Sequence, residues 1–170
     1  MSVAGPRSYI DPMTIRPATR DDLPTLVDFN ARMAWETEHK TLDRDQLTAG
    51  CRAVLTSADK GFYTIAERDG AAVGQCLVTY EWSDWRNGWV WWIQSVYVPA
   101  EARRQGVWSG LYRHLVERAQ RQGDVIGIRL YVERANAVGK ATYTRLGMTD
   151  AGYDIMETLW SRTEITEPRS

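Results

Sequence analysis

The stretch from Trp91 to Leu146 constrains the fold most. Trp89 to Val98 is a long, largely apolar run that predicts a central strand, and Pro99 ends its ladder pairing. A basic glycine turn follows, Arg103-Arg104-Gln105-Gly106. Val107, Leu111, Leu115 and Ala119 then recur at helical spacing, predicting a helix from about Gly106 to Gln122 with Gly123 as its stop. Ile126 to Val132 predicts a strand, and Ala135 to Leu146 a short helix ended by Gly147. A strand that runs through such a turn into a helix presents backbone N–H groups at the helix's positive end, an arrangement that binds phosphate. Tyr143, seven residues after Asn136, brings a hydroxyl suited to proton transfer from a later element.

The remainder supplies the rest of one domain. Thr14 to Pro17 predicts a short strand, and Thr19 with Asp21 and Asp22 a helix start. Leu23, Leu26, Val27, Asn30 and Met33 follow a helical face, interrupted at Glu36-Thr37-Glu38-His39. Leu47, Cys51, Val54 and Leu55 predict a second helix from about Asp43 to Leu55. Phe62 to Glu67 and Val73 to Tyr80 predict a hairpin around Arg68-Asp69-Gly70. Glu81 to Gly88 reads as a loop carrying Trp82 and Trp85, and Tyr153 to Trp160 as a final strand. The order is strand, two helices, three strands, helix, strand, helix, strand. It predicts an α/β (α+β) fold with a mixed, mostly antiparallel sheet and helices on both faces. The domain spans 13–160, with a loose extension over 1–12 and a fraying polar tail over 161–170.

Charge excludes some classes of function. The 21 Lys and Arg balance 22 Asp and Glu, which argues against nucleic-acid or polybasic membrane binding. No apolar run reaches membrane-spanning length. Cys51 and Cys76 form no paired motif, and no signal peptide is evident, so a reducing cytoplasm is the expected setting. His39 and His114 fall in different elements and Cys51 on an apolar helix face, so no metal site is expected. Five of the eight Trp fall between Trp82 and Trp92, which calls for a large core contact or an aromatic ligand pocket.

Two blocks resemble the GNAT superfamily of acyl-CoA-dependent N-acyltransferases. The first is Arg103-Arg104-Gln105-Gly106-Val107-Trp108, where Trp108 stands in a place usually held by Gly or Ala. The second is Asn136-x-x-Gly139-x-x-x-Tyr143-x-x-Leu146-Gly147-Met148, with Gly139 and Met148 as mild departures. The resemblance implies acetyl-CoA as the acyl donor, with no metal. Backbone amides from Arg104 to Ser109 would bind its pyrophosphate, with Arg103, Arg104 and Gln105 alongside. Main-chain groups at Val96, Tyr97 and Val98 would pair with the pantetheine arm, a role that a ladder opened by a bulge would permit. Asn136 and Lys140 would contact the cofactor, and Tyr143 would protonate the departing thiolate.

The acceptor is expected to be a small-molecule primary amine, attacking directly in a ternary complex. Trp91-Trp92-Ile93-Gln94 holds no carboxylate where some relatives keep a base. Glu36 and Glu38, at the helix junction, are the candidates for ammonium binding or proton relay, followed by Glu81 and Asp84; a water relay is the alternative. Trp82, Trp85 and Trp92 are candidate walls of the acceptor pocket. Alternation places Trp92, Gln94, Val96 and Val98 on one sheet face and Trp91, Ile93, Ser95 and Tyr97 on the other. A non-catalytic acyl-CoA-binding or regulatory module is the competing reading, and a nucleotide-phosphate site a weaker third. A homodimer is compatible with the family, although the sequence offers no clear seam.

Overall fold

The computed structural model describes residues 13–160, so the expected extension over 1–12 and tail over 161–170 lie outside the described residues. The chain divides into two compact units after Tyr131. The first holds five strands, β1 (Thr14–Pro17), β2 (Phe62–Arg68), β3 (Ala71–Ser83), β4 (Gly88–Tyr97) and β5 (Val125–Leu130). It also holds three helices, α1 (Leu23–Glu38), α2 (Arg44–Thr56) and α3 (Val107–Gln122). The strands lie in sequence order in one sheet. β1 through β4 are antiparallel neighbours, and β5 joins β4 in parallel after the α3 crossover. This is the mixed, mostly antiparallel sheet that the sequence predicts.

Helices cover both faces. Tyr63 of β2 meets Cys51 of α2, whereas its neighbour Phe62 lies under the Arg118 guanidinium of α3, 3.8 Å from the ring centroid. Successive strand residues point to opposite faces, so α2 and α3 cover opposite sides of the sheet. Leu26, Val27, Cys51, Tyr63 and Ile65 form the buried cluster on the α1/α2 face. Val107, Leu111, Leu115 and Ala119 are the buried stripe of α3, spaced as the sequence predicts. Burying a side chain of this kind stabilises a fold by about 1.5–3 kcal/mol.

Local chemistry sets the element ends. Asp43 caps α2 by accepting the Gln46 N–H at 2.8 Å. His39, in the left-handed region at φ 53°, closes α1 at the predicted junction. Arg16 of β1 ties Asp22 and Glu67 of β2 together, at 2.7 Å and 2.6 Å. The Arg16 hydrogen bonds, with the Thr19 amide, hold the Asp22 carboxyl down at about 2. A depressed carboxylate stabilises the fold above its unfolded pKa and loses that contribution as it protonates in the folded state. Stability should therefore fall from about pH 4 to about pH 2, and Asp22→Asn should flatten that slope when urea midpoints are followed against pH.

Three expectations are corrected. Trp82 is not in a loop: β3 runs on to Ser83, pairing Trp82 with Trp89, and only Asp84 to Asn87 form the turn. Stacking of Trp82 on Trp89, with ring centroids 5.0 Å apart, helps to extend the hairpin. Tyr153 to Trp160 forms no strand, and its side chains are exposed. Apolar alternation marks a segment fit for a ladder, but only a partner edge makes it a strand. The third correction concerns β4. Leu77 pairs with Ser95 and Val78 with Ile93, so Gln94 is an extra residue, a β-bulge. The bulge resets the alternation. Trp91 packs on Phe62 and under α3, whereas Tyr97 packs on Phe29 of α1 with centroids 5.2 Å apart. Ser95 and Tyr97 therefore join Trp92 and the Gln94 side chain on the α1/α2 face, and Val96 moves to the α3 face.

The second unit, described from Val132 to Trp160, holds one helix, α4 (Ala137–Arg145). Asn136 caps it, its side-chain oxygen accepting the Gly139 N–H at 2.7 Å. A Cβ on Gly139 would stand 2.7–2.9 Å from the Asn136 amide, so the glycine that departs from the family pattern leaves room for this cap.

Candidate active site

Two features of β4 coincide. The bulge at Gln94 interrupts its ladder with β3, and its ladder with β5 ends at Ile93 opposite Leu130. Beyond Ile93, the β4 edge that faced β5 carries peptide groups outside that ladder, and these lead through Val98 into the turn before α3. A parallel strand that leaves its neighbour halfway opens a groove lined by main-chain donors and acceptors.

The turn at the end of this groove bends sharply. Arg104 has φ 60° and Gly106 φ 77°, both left-handed. The first intrahelical bond of α3 runs from the Gly110 N–H to the Gly106 carbonyl at 2.9 Å, so the Val107 and Ser109 amides lie in the first turn, ahead of any intrahelical acceptor. No atom lies within 4 Å of where a Gly106 Cβ would stand, so the approach is open and the glycine answers a backbone demand. Gly106→Ala should cost about 1–2 kcal/mol through that φ alone, read as a lowered denaturation midpoint. Trp108 is helical, with its ring against Tyr112 one turn on, centroids 5.7 Å apart.

The side chains around the turn are engaged with the protein itself. Arg103 donates its Nε–H to the Val98 carbonyl at 2.9 Å and pairs with Glu36 through Nη2. Gln105 accepts from Arg68 and donates to the Glu101 carbonyl at 2.7 Å. Glu36 also accepts the Tyr97 hydroxyl at 2.7 Å. That bond and the Arg103 guanidinium hold the Glu36 carboxyl below its ordinary range, while burial and Glu36 push Tyr97 up to about 12. Glu36 thus ties the end of α1 to β4 and to the basic turn. Glu38 points elsewhere and pairs with Lys40 at 2.5 Å.

The aromatic candidates separate. Trp92 lies on the α1/α2 face, donating its indole N–H to Glu81. Glu81 also accepts from Arg129 of β5 at 2.8 Å, and the Trp92 ring contacts Tyr131 with centroids 4.5 Å apart. Trp82 packs on Trp89 on the α3 face, and Trp85 sits at the turn tip, 89% exposed, with its N–H on Asp84. The structure therefore brings Trp92 and Glu81 together and leaves Trp82, Trp85 and Asp84 apart from them. Sequence reasoning did not single out Arg129 or Tyr131, because period-2 alternation in β5 looks the same for a solvated Arg and a site Arg. In the second unit, Tyr143 is half-buried on α4, and Lys140 donates to the Arg134 carbonyl at 2.9 Å.

Among the described residues, no group of His, Cys, Asp and Glu is arranged to hold a metal, and no helix is long and apolar enough to cross a membrane. The sequence profile of the Acetyltransferase (GNAT) family matches residues 19–148, and the chain belongs to that family. A solved structure of a possible acetyltransferase from Clostridium difficile 630 is 43% identical, with a TM-score of 0.82, covering 88% of this chain and 99% of that one. An aminoglycoside N-acetyltransferase, AAC(6')-Iy in complex with CoA, shares the fold at 19% identity and a TM-score of 0.73, covering 92% of this chain and 99% of that one. No curated protein matches the chain significantly in sequence.

Proposed function

We propose that this protein is an acetyl-CoA-dependent N-acetyltransferase acting on a small primary amine by direct attack in a ternary complex. The observation that carries the reading is the coincidence at Ile93/Gln94: the bulge and the end of the β5 ladder fall at one point, upstream of the Gly106 turn. The peptide groups from Gln94 to Val98 suit the amides of a pantetheine arm, which would add to β4 as a short strand. The amides from Arg104 to Ser109 suit a pyrophosphate at the positive end of α3, with Arg104 adding charge. When bound, acetyl-CoA supplies an activated thioester.

The chain's groups then divide the work. A β4 N–H near the bulge stabilises the negative charge that develops on the thioester oxygen. The neutral amine nitrogen forms the new bond to the acyl carbon, the C–S bond breaks, Tyr143 gives its proton to the departing sulfur, and the proton released from the new amide nitrogen passes through water to restore the phenol. Asn136, whose oxygen caps α4, keeps its amide hydrogens for the cofactor arm. The acceptor ammonium must first lose a proton. Glu36 is a weak base, because Tyr97 and Arg103 hold it ionised, so it suits electrostatic steering while water carries the proton away.

Isothermal titration with acetyl-CoA, desulfo-CoA and ATP tests the reading. Both CoA compounds should bind and ATP should bind far more weakly; protein that binds no CoA compound would overturn the proposal. CoA binding without thiol release across an amine library would favour the non-catalytic module.

A further inference from the structure

Acceptor chemistry is the open question on the α1/α2 face. Each carboxylate singled out there is already paired with a cation: Glu36 with Arg103, Glu38 with Lys40, and Glu81 with Arg129. A site for a polycation needs an excess of negative charge, and each of these three carboxylates is already balanced by its own cation. Glu81, Trp92, Arg129 and Tyr131 instead form a compact group on neighbouring strands. Trp92 and Arg129 are paired residues of β4 and β5, one pair before the end of their shared ladder. The Trp92 and Tyr131 rings make a tilted pair, and the Arg129 guanidinium stands 5.8 Å from the Trp92 ring centroid. Glu81 fixes both, through the indole N–H and the guanidinium.

From this we infer that the acceptor is an amine that also carries a carboxylate beside an apolar body, an α-amino acid or a close analogue. The inference rests on the acetyl-transfer reading and names its substrate class. Arg129 has five N–H donors in a planar fork, and one is given to Glu81 at 2.8 Å. A second carboxylate can take the fork in bidentate fashion. The Trp92–Tyr131 pair offers the apolar wall, with Tyr131 half exposed. Bound this way, the acceptor lies beside the strand segment where the bulge opens β4. Glu81 is a positioning residue, holding Arg129 and the indole in register.

Calorimetry on the desulfo-CoA-loaded protein tests this, with L-phenylalanine, phenethylamine and spermidine as probes. L-Phenylalanine should bind at least about tenfold more tightly than phenethylamine, and spermidine most weakly. Arg129→Gln should abolish that preference and leave desulfo-CoA affinity unchanged, which also reports that the variant is folded. Glu81→Gln should weaken the preference without removing it. Tighter binding of phenethylamine or spermidine, no binding of L-phenylalanine, or an equal loss for all probes in Arg129→Gln would overturn the inference. Those outcomes with desulfo-CoA bound leave acetyl transfer standing, whereas failure of desulfo-CoA itself to bind would refute acetyl transfer.

Discussion

Tyr143→Phe is expected to lower kcat by about 10²- to 10⁴-fold while leaving acetyl-CoA affinity near that of the wild type. The substitution keeps the ring, and therefore the packing of a half-buried α4 side chain, and removes only the hydroxyl. A thiolate departing without its proton raises the barrier of C–S cleavage. A merely structural tyrosine would shift the melting temperature and spare kcat. Thiol-release kinetics beside a melting curve separates the two, and full activity in the variant would remove Tyr143 from the mechanism.

Trp91→Ala is expected to cost about 3–5 kcal/mol, the range for deleting a fully buried aromatic side chain. Trp91 is 1% exposed, meets Phe62 edge to face at 5.0 Å and lies beneath Arg118. Strands β3 and β5 flank β4, and the Arg118 guanidinium of α3 lies over the Trp91 ring. Total stability of a domain is typically about 5–15 kcal/mol, so the variant should lie near the unfolding threshold. Trp85→Ala, at the exposed turn tip, should change stability by less than about 0.5 kcal/mol. Guanidinium unfolding followed by circular dichroism compares them, and equal midpoints would contradict the packing described for β4.

Those two tryptophans also show what the sequence could reveal. The helical face of α3 and the Gly106 turn were legible, because 3.6-residue spacing and a glycine between basic residues act locally. The strand order of the hairpin was legible for the same reason. The bulge was not. Nothing in Ile93-Gln94-Ser95 signals an extra residue, because a bulge is decided by the register of β3 opposite it. Strict alternation therefore assigned Ser95, Tyr97 and Val96 to the wrong faces. The Glu36–Arg103 pair joins residues 67 positions apart, beyond any local pattern. The Glu81–Arg129 pair is similar, separated by 48 positions. Trp85 looked like a pocket wall by proximity to Trp82 and Trp92, but a four-residue turn carries it to the tip of the hairpin, away from both faces.

The bulge at Gln94 also bears on how such a protein can change over generations. The groups left outside the β5 ladder beyond it are peptide groups, which every residue type except proline supplies in full. Substitutions along this segment can therefore alter volume, charge and polarity on the α1/α2 face while preserving what the donor arm would grip. On the proposed reading, recognition of one ligand would be written in backbone, and recognition of the other in side chains at Trp92, Glu81, Arg129 and Tyr131. Drift, gene duplication or laboratory selection can thus rewrite the second without erasing the first.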